Sequence, residues 1–290
     1  MFCQVAPAGV TKVFEGFCEK HGAYSIRYLI GPDGKPFKAD LTCPKCKAEA
    51  KEAWTAEHAT EIAAAKKAAE EQVRLKKEHE AAKARQKALE DALQQAAIPL
   101  EYEHATFETY HPTTKENAEA MRQAKLYAQN FSRIRKTGVG LFLYGATGTG
   151  KSHIACSILK TLLPDVDGVY CMTWQVIQAV KEAPISSDPL RPFLDASFLI
   201  LDEIGVQNGS RFEESVLYPL IDTRVANRRP TIFISNIQPD AKDPDFKEKT
   251  VRKVVGERIW DRMQYRSIFL RFTGESYRKR FKSVDELLNI

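Results

Sequence analysis

The residues with the most specific chemical spacing run from Gly145 to Ser152. Gly145-Ala146-Thr147-Gly148-Thr149-Gly150-Lys151-Ser152 fits G-x-x-x-x-G-K-[ST] at every position. Glycines let successive backbone N–H groups converge on phosphate oxygens, and a helix starting there adds positive potential. Lys151 would reach the β- and γ-phosphates of a nucleotide, and the Ser152 hydroxyl would ligate Mg²⁺. This stretch is a cradle for ATP or ADP.

Two further polar sites follow in order. Phe198-Leu199-Ile200-Leu201 is apolar and ends in Asp202-Glu203. Asp202 would hold Mg²⁺, and Glu203 would act as general base on the attacking water. Ile232-Phe233-Ile234 ends in Ser235-Asn236. A polar residue at the end of an adjacent strand would lie beside the acidic pair, and Asn236 would orient the water near the γ-phosphate.

A different chemistry sits near the N-terminus. Cys18-Glu19-Lys20-His21 and Cys43-Pro44-Lys45-Cys46 are two x₂-spaced pairs. Four such ligands suit tetrahedral Zn²⁺, with Cys3 as an alternative to His21 that lacks a knuckle partner. The Gly, Pro and aromatic content between the pairs suits a small β ribbon. A core this small needs a metal staple. Cys156 and Cys171 lie among apolar residues and read as buried packing thiols.

Three regions must carry these sites. Residues 1–47 form the zinc module. Residues 48–97 are rich in Ala, Glu, Lys and Gln, without Gly or Pro, and predict one long helix with a Glu70–Arg74 pair. Its large apolar residues, Ile62, Val73, Leu75, Leu89 and Leu93, keep no heptad. It reads as a solvated spacer or as a helix docking on a partner. Ile98-Pro99 ends it. Residues 98–290 alternate short apolar runs with helical stretches. The strands are expected at 139–144, 169–173, 198–201, 231–235 and 268–272, with a helix at 152–163. Such a pattern predicts an α/β domain with a parallel sheet covered on both faces.

Composition sets outer limits. Charged residues make up 28% and hydrophobic ones 43% of the 290 residues, as in a globular protein with a real core. No run nears the roughly 18 apolar residues needed to span a bilayer, so no membrane partner is expected. The first nine residues lack a signal-peptide layout, and a cytoplasmic location is the expectation. Net charge is +5, which permits nucleic-acid contact without requiring it. Six cysteines in such a chain are not a disulfide framework.

Taken in order, the phosphate loop, Leu201-Asp202-Glu203-Ile204-Gly205, Ser235-Asn236, Gly256-Glu257-Arg258 with Asp261-Arg262-Met263, and Ser276-Tyr277-Arg278 resemble a known module. It is that of DnaC-type AAA+ helicase loaders of bacteria and phages and, more distantly, IstB-type transposition helper ATPases. The resemblance covers roughly residues 98–282 and implies an AAA+ ATPase domain without a helical lid domain. It implies that Arg262 is an arginine finger acting on a neighbour's nucleotide, with Arg258 the alternative. It implies that Arg278 is the sensor 2 arginine, acting in cis. Hydrolysis would then be weak until subunits assemble into an ATP-bridged oligomer. The implied partners are a replicative hexameric helicase, docked by the N-terminal part, and single-stranded DNA. In such proteins a helical insert between the second strand and the acidic pair lines a DNA pore. Here that is Thr173–Arg191, with Lys181 and Arg191 as candidate phosphate contacts. Competing implied functions are a transposition helper and an ATP-locked adaptor that scarcely hydrolyses. The zinc module favours the loader, and the intact Lys151, Asp202, Glu203 and Asn236 disfavour the adaptor.

Overall fold

The computed structural model describes residues 11–29, 40–206, 209–240 and 249–278. The chain divides into two compact units, Met1–Ala81 and Ala82–Ile290.

In the first unit, strands β1 (Thr11–Cys18) and β2 (Gly22–Leu29) form an antiparallel hairpin. Its turn is Cys18 to Gly22, with Gly22 at φ 77°. The ribbon therefore begins before the first knuckle instead of lying wholly between the two, because the Cys18–His21 knuckle is itself the hairpin turn. The second knuckle opens helix α1 (Pro44–Glu57), with Cys43 at the N-cap and Pro44 in the first turn, where its missing N–H costs nothing. Cys3 lies outside the described residues.

The expected single helix is two. Helix α1 gives way at His58 to α2 (Ala59–Gln95). The His58 ring stacks on Trp54, with centroids 4.5 Å apart, and His58 Nδ1 lies 2.9 Å from the Trp54 carbonyl oxygen. That side-chain bond competes for a helix carbonyl and holds His58 at φ −101°. Arg74 pairs with Glu71 at 2.6 Å and Glu78 at 3.5 Å instead of Glu70.

In the second unit, the end of α2 packs on the core. Ala96 is fully buried, Leu89 and Leu93 are partly buried, and the Tyr170 N–H donates to the Ala96 carbonyl. Ile62, Val73 and Leu75, in the other unit, stay exposed. After a short 3₁₀ turn at Leu100–Tyr102 come α3 (Lys115–Gln129), α4 (Phe131–Ile134), β3 (Gly140–Gly145) and α5 (Lys151–Leu162). Then follow β4 (Gly168–Met172), α6 (Thr173–Glu182), α7 (Arg191–Asp195), β5 (Phe198–Asp202), α8 (Arg211–Ala226) and β6 (Thr231–Ser235). Helices α9 (Val251–Val255) and α10 (Glu257–Tyr265) lead into β7 (Ser267–Phe272). All five expected strands are present, with bounds within one residue or so of the sequence reading.

The sheet order is β4-β5-β6-β3-β7, parallel throughout. Alternate residues face opposite layers. Leu141, Leu143, Ile200, Ile232 and Ile234 join α3 and α5 in one core. Phe142, Leu199, Leu201 and Phe233 join α8 and α10 in the other. Burial on both faces explains why these strands read as continuous apolar runs. Cys156 and Cys171 are buried as expected. Arg224 of α8 is buried beneath the opposite sheet edge. It donates to the carbonyls of Phe193, Ala196 and Pro230 and to Thr231 Oγ1, so its guanidinium replaces water for one carbonyl of α7 and two at strand entries. Among the described residues no helix follows β7, and none is long and apolar enough to cross a membrane.

Candidate active site and metal centre

The phosphate loop joins β3 to α5, and its backbone runs against neighbours that exclude side chains. Gly148 has φ 78°, and a Cβ there would meet Ser276 Oγ at 2.0 Å. Gly150 has φ 89°, and a Cβ there would meet the Tyr110 ring at 2.3 Å. Only glycine fits either place. The Tyr277 N–H donates to the Gly148 carbonyl at 2.9 Å, and the Tyr110 hydroxyl donates to that of Thr149 at 3.1 Å. The loop is thus clamped from both sides.

Lys151 is 4% exposed, and its ammonium donates to the carbonyls of Gly145 at 3.0 Å and Ala146 at 2.7 Å. Burial pulls its pKa down to about 8, opposed by the Asp202 charge and reinforced by Arg278. Asp202 Oδ2 accepts from Ser152 Oγ at 2.6 Å and from the Tyr170 hydroxyl at 2.7 Å, and Oδ1 accepts from the Glu203 N–H at 2.6 Å. Burial, then the Asp202 charge, pushes the Tyr170 phenol well above its usual range, so it remains a donor. Glu203 has φ 59°, a left-handed backbone that costs a non-glycine residue about 1–3 kcal/mol. Ser235 Oγ donates to the Ile204 carbonyl, and the Ile204 N–H to that of Ile234. These bonds tie the end of β6 to the loop after β5.

One cavity of about 420 Å³ results, of a size suited to a nucleotide. It is lined by Thr147, Gly148, Gly150, Lys151, Ser152, Asp202, Glu203, Asn236 and Arg278 together. Residues from four segments far apart in sequence meet at the carboxyl ends of the strands. Ser152 and Asp202, two hard oxygen donors in hydrogen-bond contact, fit a divalent cation held with phosphate.

In the other unit, the donor atoms of Cys18, His21, Cys43 and Cys46 lie within 4.8 Å of one another. Cys18 Sγ is 3.5 Å from Cys46 Sγ, and His21 Nδ1 is 3.7, 3.7 and 3.2 Å from Cys18, Cys43 and Cys46 Sγ. A tetrahedral Zn²⁺ with Zn–S and Zn–N near 2.3 and 2.0 Å needs donor spacings of about 3.5–3.8 Å. The set fits. His21 Nε2 lies 2.8 Å from Glu49 Oε1, and Lys20 Nζ donates to Glu49 Oε2 at 2.5 Å. A carboxylate on the far nitrogen orients a ligating imidazole.

Residues 47–285 match the family described as IstB-like ATP binding protein. This chain belongs to that family. It is an ATP-binding P-loop ATPase of the AAA+ type. Among relatives of this IstB-like chain is the replicative helicase loader DnaC of Escherichia coli K12, 29% identical over 187 residues, covering 62% of this chain and 71% of that protein. The DnaC of Buchnera aphidicola subsp. Baizongia pistaciae is 27% identical over 219 residues, covering 73% and 84%. Two solved structures share the fold. That of the DnaC helicase loader has a TM-score of 0.53 at 22% identity, covering 60% of this chain and all of that one. That of DnaI has 0.52 at 20%, covering 64% and all of that one. The match begins at residue 47, so the four-ligand cluster precedes it.

Within this IstB-like domain not every expected site residue gathers at the cavity. Arg278 lines its mouth, exposed, and lies 3.6 Å from Glu101. Arg262 does not line it. Its Nε donates to Asp222 Oδ1 of α8 at 2.7 Å. The Arg258 guanidinium stacks 4.3 Å over the Tyr218 ring. Lys181 is exposed on α6, and Arg191 pairs with Asp195 at 3.1 Å. The expected insert is α6, an irregular stretch and α7. Sequence reasoning missed Tyr102, Tyr110, Tyr170 and Glu101 at the nucleotide cavity and Glu49 at the metal cluster. None belongs to a contiguous motif. Tyr170 alone had a signal, as a lone phenol in an apolar strand next to the acidic one.

Proposed function

We propose that the chain is an ATP-dependent loader of the replicative hexameric helicase onto single-stranded DNA. The observation that carries this reading is similarity to DnaC loaders over most of their length, joined to a complete set of hydrolytic side chains around one cavity. In this reading residues 1–47 are the zinc module, 48–97 the spacer or docking helix and 98–290 the ATPase. The N-terminal part captures the helicase, the ATPase binds ATP and DNA, and the protein works in the cytoplasm.

The site roles follow from the side chains. Gly145 to Gly150 present N–H groups to the phosphates, and Lys151 leaves its two carbonyl partners to neutralise them. Mg²⁺, when bound, supplies charge neutralisation at the phosphates, with Ser152 and Asp202 to hold it. Glu203 accepts a proton from the attacking water while Asn236 orients it. Arg278, beside Lys151, senses the nucleotide in cis. Arg262 completes a neighbour's site, a role supported by its absence from the lining of its own cavity. Its ion pair with Asp222 holds the guanidinium for that task. Hydrolysis is weak until subunits align in an ATP-bridged oligomer. Zn²⁺ on Cys18, His21, Cys43 and Cys46 would be structural, since four protein ligands leave no open position.

The family description favours one second reading, an IstB-like transposition helper on duplex DNA. An ATP-locked adaptor is disfavoured by the complete acid–base set. Capture of purified replicative helicase on the immobilised chain separates the loader from the helper, and the ATP hydrolysis rate separates it from the adaptor. The loader retains the helicase, and a fragment of residues 1–97 suffices. No retention would overturn the reading, and retention only by residues 98–290 would overturn the division of labour.

A further inference from the structure

At the amino ends of the sheet strands, about 16 Å from the nucleotide edge by strand length, lies a second cavity of about 300 Å³. Three loops wall it. Arg135 precedes β3, Asp195 and Ser197 precede β5, and Asn227 to Pro230 precede β6. Three arginines and one carboxylate line it. Arg229 is 3.9 Å from Asp195 Oδ1 and is also bound to the Asp195 carbonyl. Asp195 is further held by Arg191 at 3.1 Å. Among the described residues the Arg135 side chain has a single long contact, 3.4 Å to Ser197 Oγ. Among the described residues the Arg228 side chain makes no hydrogen bond or ion pair. Asp167, which does not line the notch, accepts from the Ser197 N–H at 3.4 Å.

Arg228 is the informative residue. Its φ is 51°, a left-handed backbone where glycine or asparagine is the easy choice. Gly138 packs so closely that a Cβ there would meet Arg228 Cα at 2.5 Å, so the loop cannot relax toward it. That turn closes α8 as a Schellman cap, the Arg229 N–H donating to the Arg224 carbonyl at 2.8 Å and the Arg228 N–H to that of Val225 at 3.2 Å, and it leaves the Arg228 side chain exposed and unpaired at the notch. The cap asks only for a left-handed backbone, so it fixes the position of Arg228 without engaging its guanidinium.

We propose that this notch binds the phosphodiester backbone of single-stranded DNA, with Arg228 and Arg135 as its phosphate contacts. All three cations are arginines, whose planar fork matches a phosphate in two hydrogen bonds. Ser197 and Asn227 add neutral polar groups, while the Asp195 and Asp167 carboxylates are already engaged. The notch lies on the edge opposite the ATP site, so it is a contact beyond the helical insert between β4 and β5. It rests on the reading of the chain as a DNA-binding loader.

The test uses the full chain with ATP and a labelled oligothymidylate, following anisotropy across a salt series. Arg228→Gly removes the charge and relieves the backbone strain, so its melting temperature holds or rises. Its affinity should fall about three- to tenfold, and the salt slope should shrink by about 0.7, the increment for one lost single-strand phosphate contact. Arg135→Ala/Arg228→Gly should lose about two such increments, with fluorescent-ATP affinity unchanged. An unchanged slope in the double variant would overturn the notch. So would loss of helicase capture with DNA binding intact, which would assign the notch to an acidic protein surface. Loss confined to a duplex of the same length would overturn the single-strand assignment. Wild-type chain that binds no DNA in any nucleotide state would instead defeat the loader's DNA-binding role.

Discussion

The Tyr170 hydroxyl donates to Asp202 Oδ2 at 2.7 Å, the same oxygen that accepts from Ser152. Tyr170 is 3% exposed, and its raised pKa keeps the proton on oxygen. It therefore orients the carboxylate expected to hold Mg²⁺. Tyr170→Phe should raise the Mg²⁺ concentration for half-maximal hydrolysis about tenfold, the low end for losing an outer partner of a ligand. Binding of fluorescent ATP without Mg²⁺ should be unaltered. A shift in nucleotide affinity alone, with unchanged Mg²⁺ demand, would assign Tyr170 to packing.

Lys151 gives a pH signature. Its folded pKa is about 8 and its ordinary value 10.5, so the unfolded chain holds more protons between these limits. This group alone then makes the free protein more stable as pH rises through that window. Phosphate needs the charged form, so ATP affinity moves the other way and declines above about pH 8. Titration with fluorescent ATP from pH 7 to 9.5 should show the decline in wild type. Lys151→Arg should abolish the slope, because a guanidinium stays charged. A wild-type affinity flat across this range would refute the assignment.

Much of this site is legible in the sequence because its chemistry is contiguous. Phosphate binding demands glycine, lysine and serine at fixed spacing within one loop, and Asp202-Glu203 closes one apolar strand. The rest depends on three-dimensional neighbours. Tyr170 meets Asp202 because β4 lies beside β5, with Met172 opposite Asp202 in register. Asp222 and Arg262 are 40 residues apart and meet only when α8 packs on α10. Glu70, Glu71 and Glu78 are all within a helical turn or so of Arg74, and spacing alone does not choose among them. The break at His58 carries no Gly or Pro to mark it.

The metal cluster predicts about one zinc per chain by elemental analysis. Chelation should unravel the Thr11–Leu29 hairpin and leave the sheet of the second unit intact, read by hydrogen exchange. Glu49→Gln should weaken zinc in a chelator competition by about 10- to 100-fold, as for other outer-shell carboxylates on a ligating histidine. A metal-free protein with a protected hairpin would dismiss the site.

Action of Arg262 on a neighbour is tested by mixing. Arg262→Ala and Glu203→Gln chains should each be nearly inactive, since a supplied arginine is worth about 10³ to 10⁵ in rate. A mixed assembly contains sites that pair an intact Glu203 with a neighbour's Arg262, and ATPase activity should return. No recovery, with mixed assembly confirmed by crosslinking, would place Arg262 in a cis or purely structural role through Asp222.

The central claim is helicase loading, and the direct measurement is transfer onto a closed circle. Replicative helicase from the same source is mixed with circular single-stranded DNA bearing an annealed labelled oligonucleotide, and its release is followed. With ATP and the wild-type chain, release should rise well above helicase alone. The Lys151→Ala chain should fail. Release that is the same with and without the wild-type chain, from a helicase shown to be active on forked linear DNA, would contradict the account.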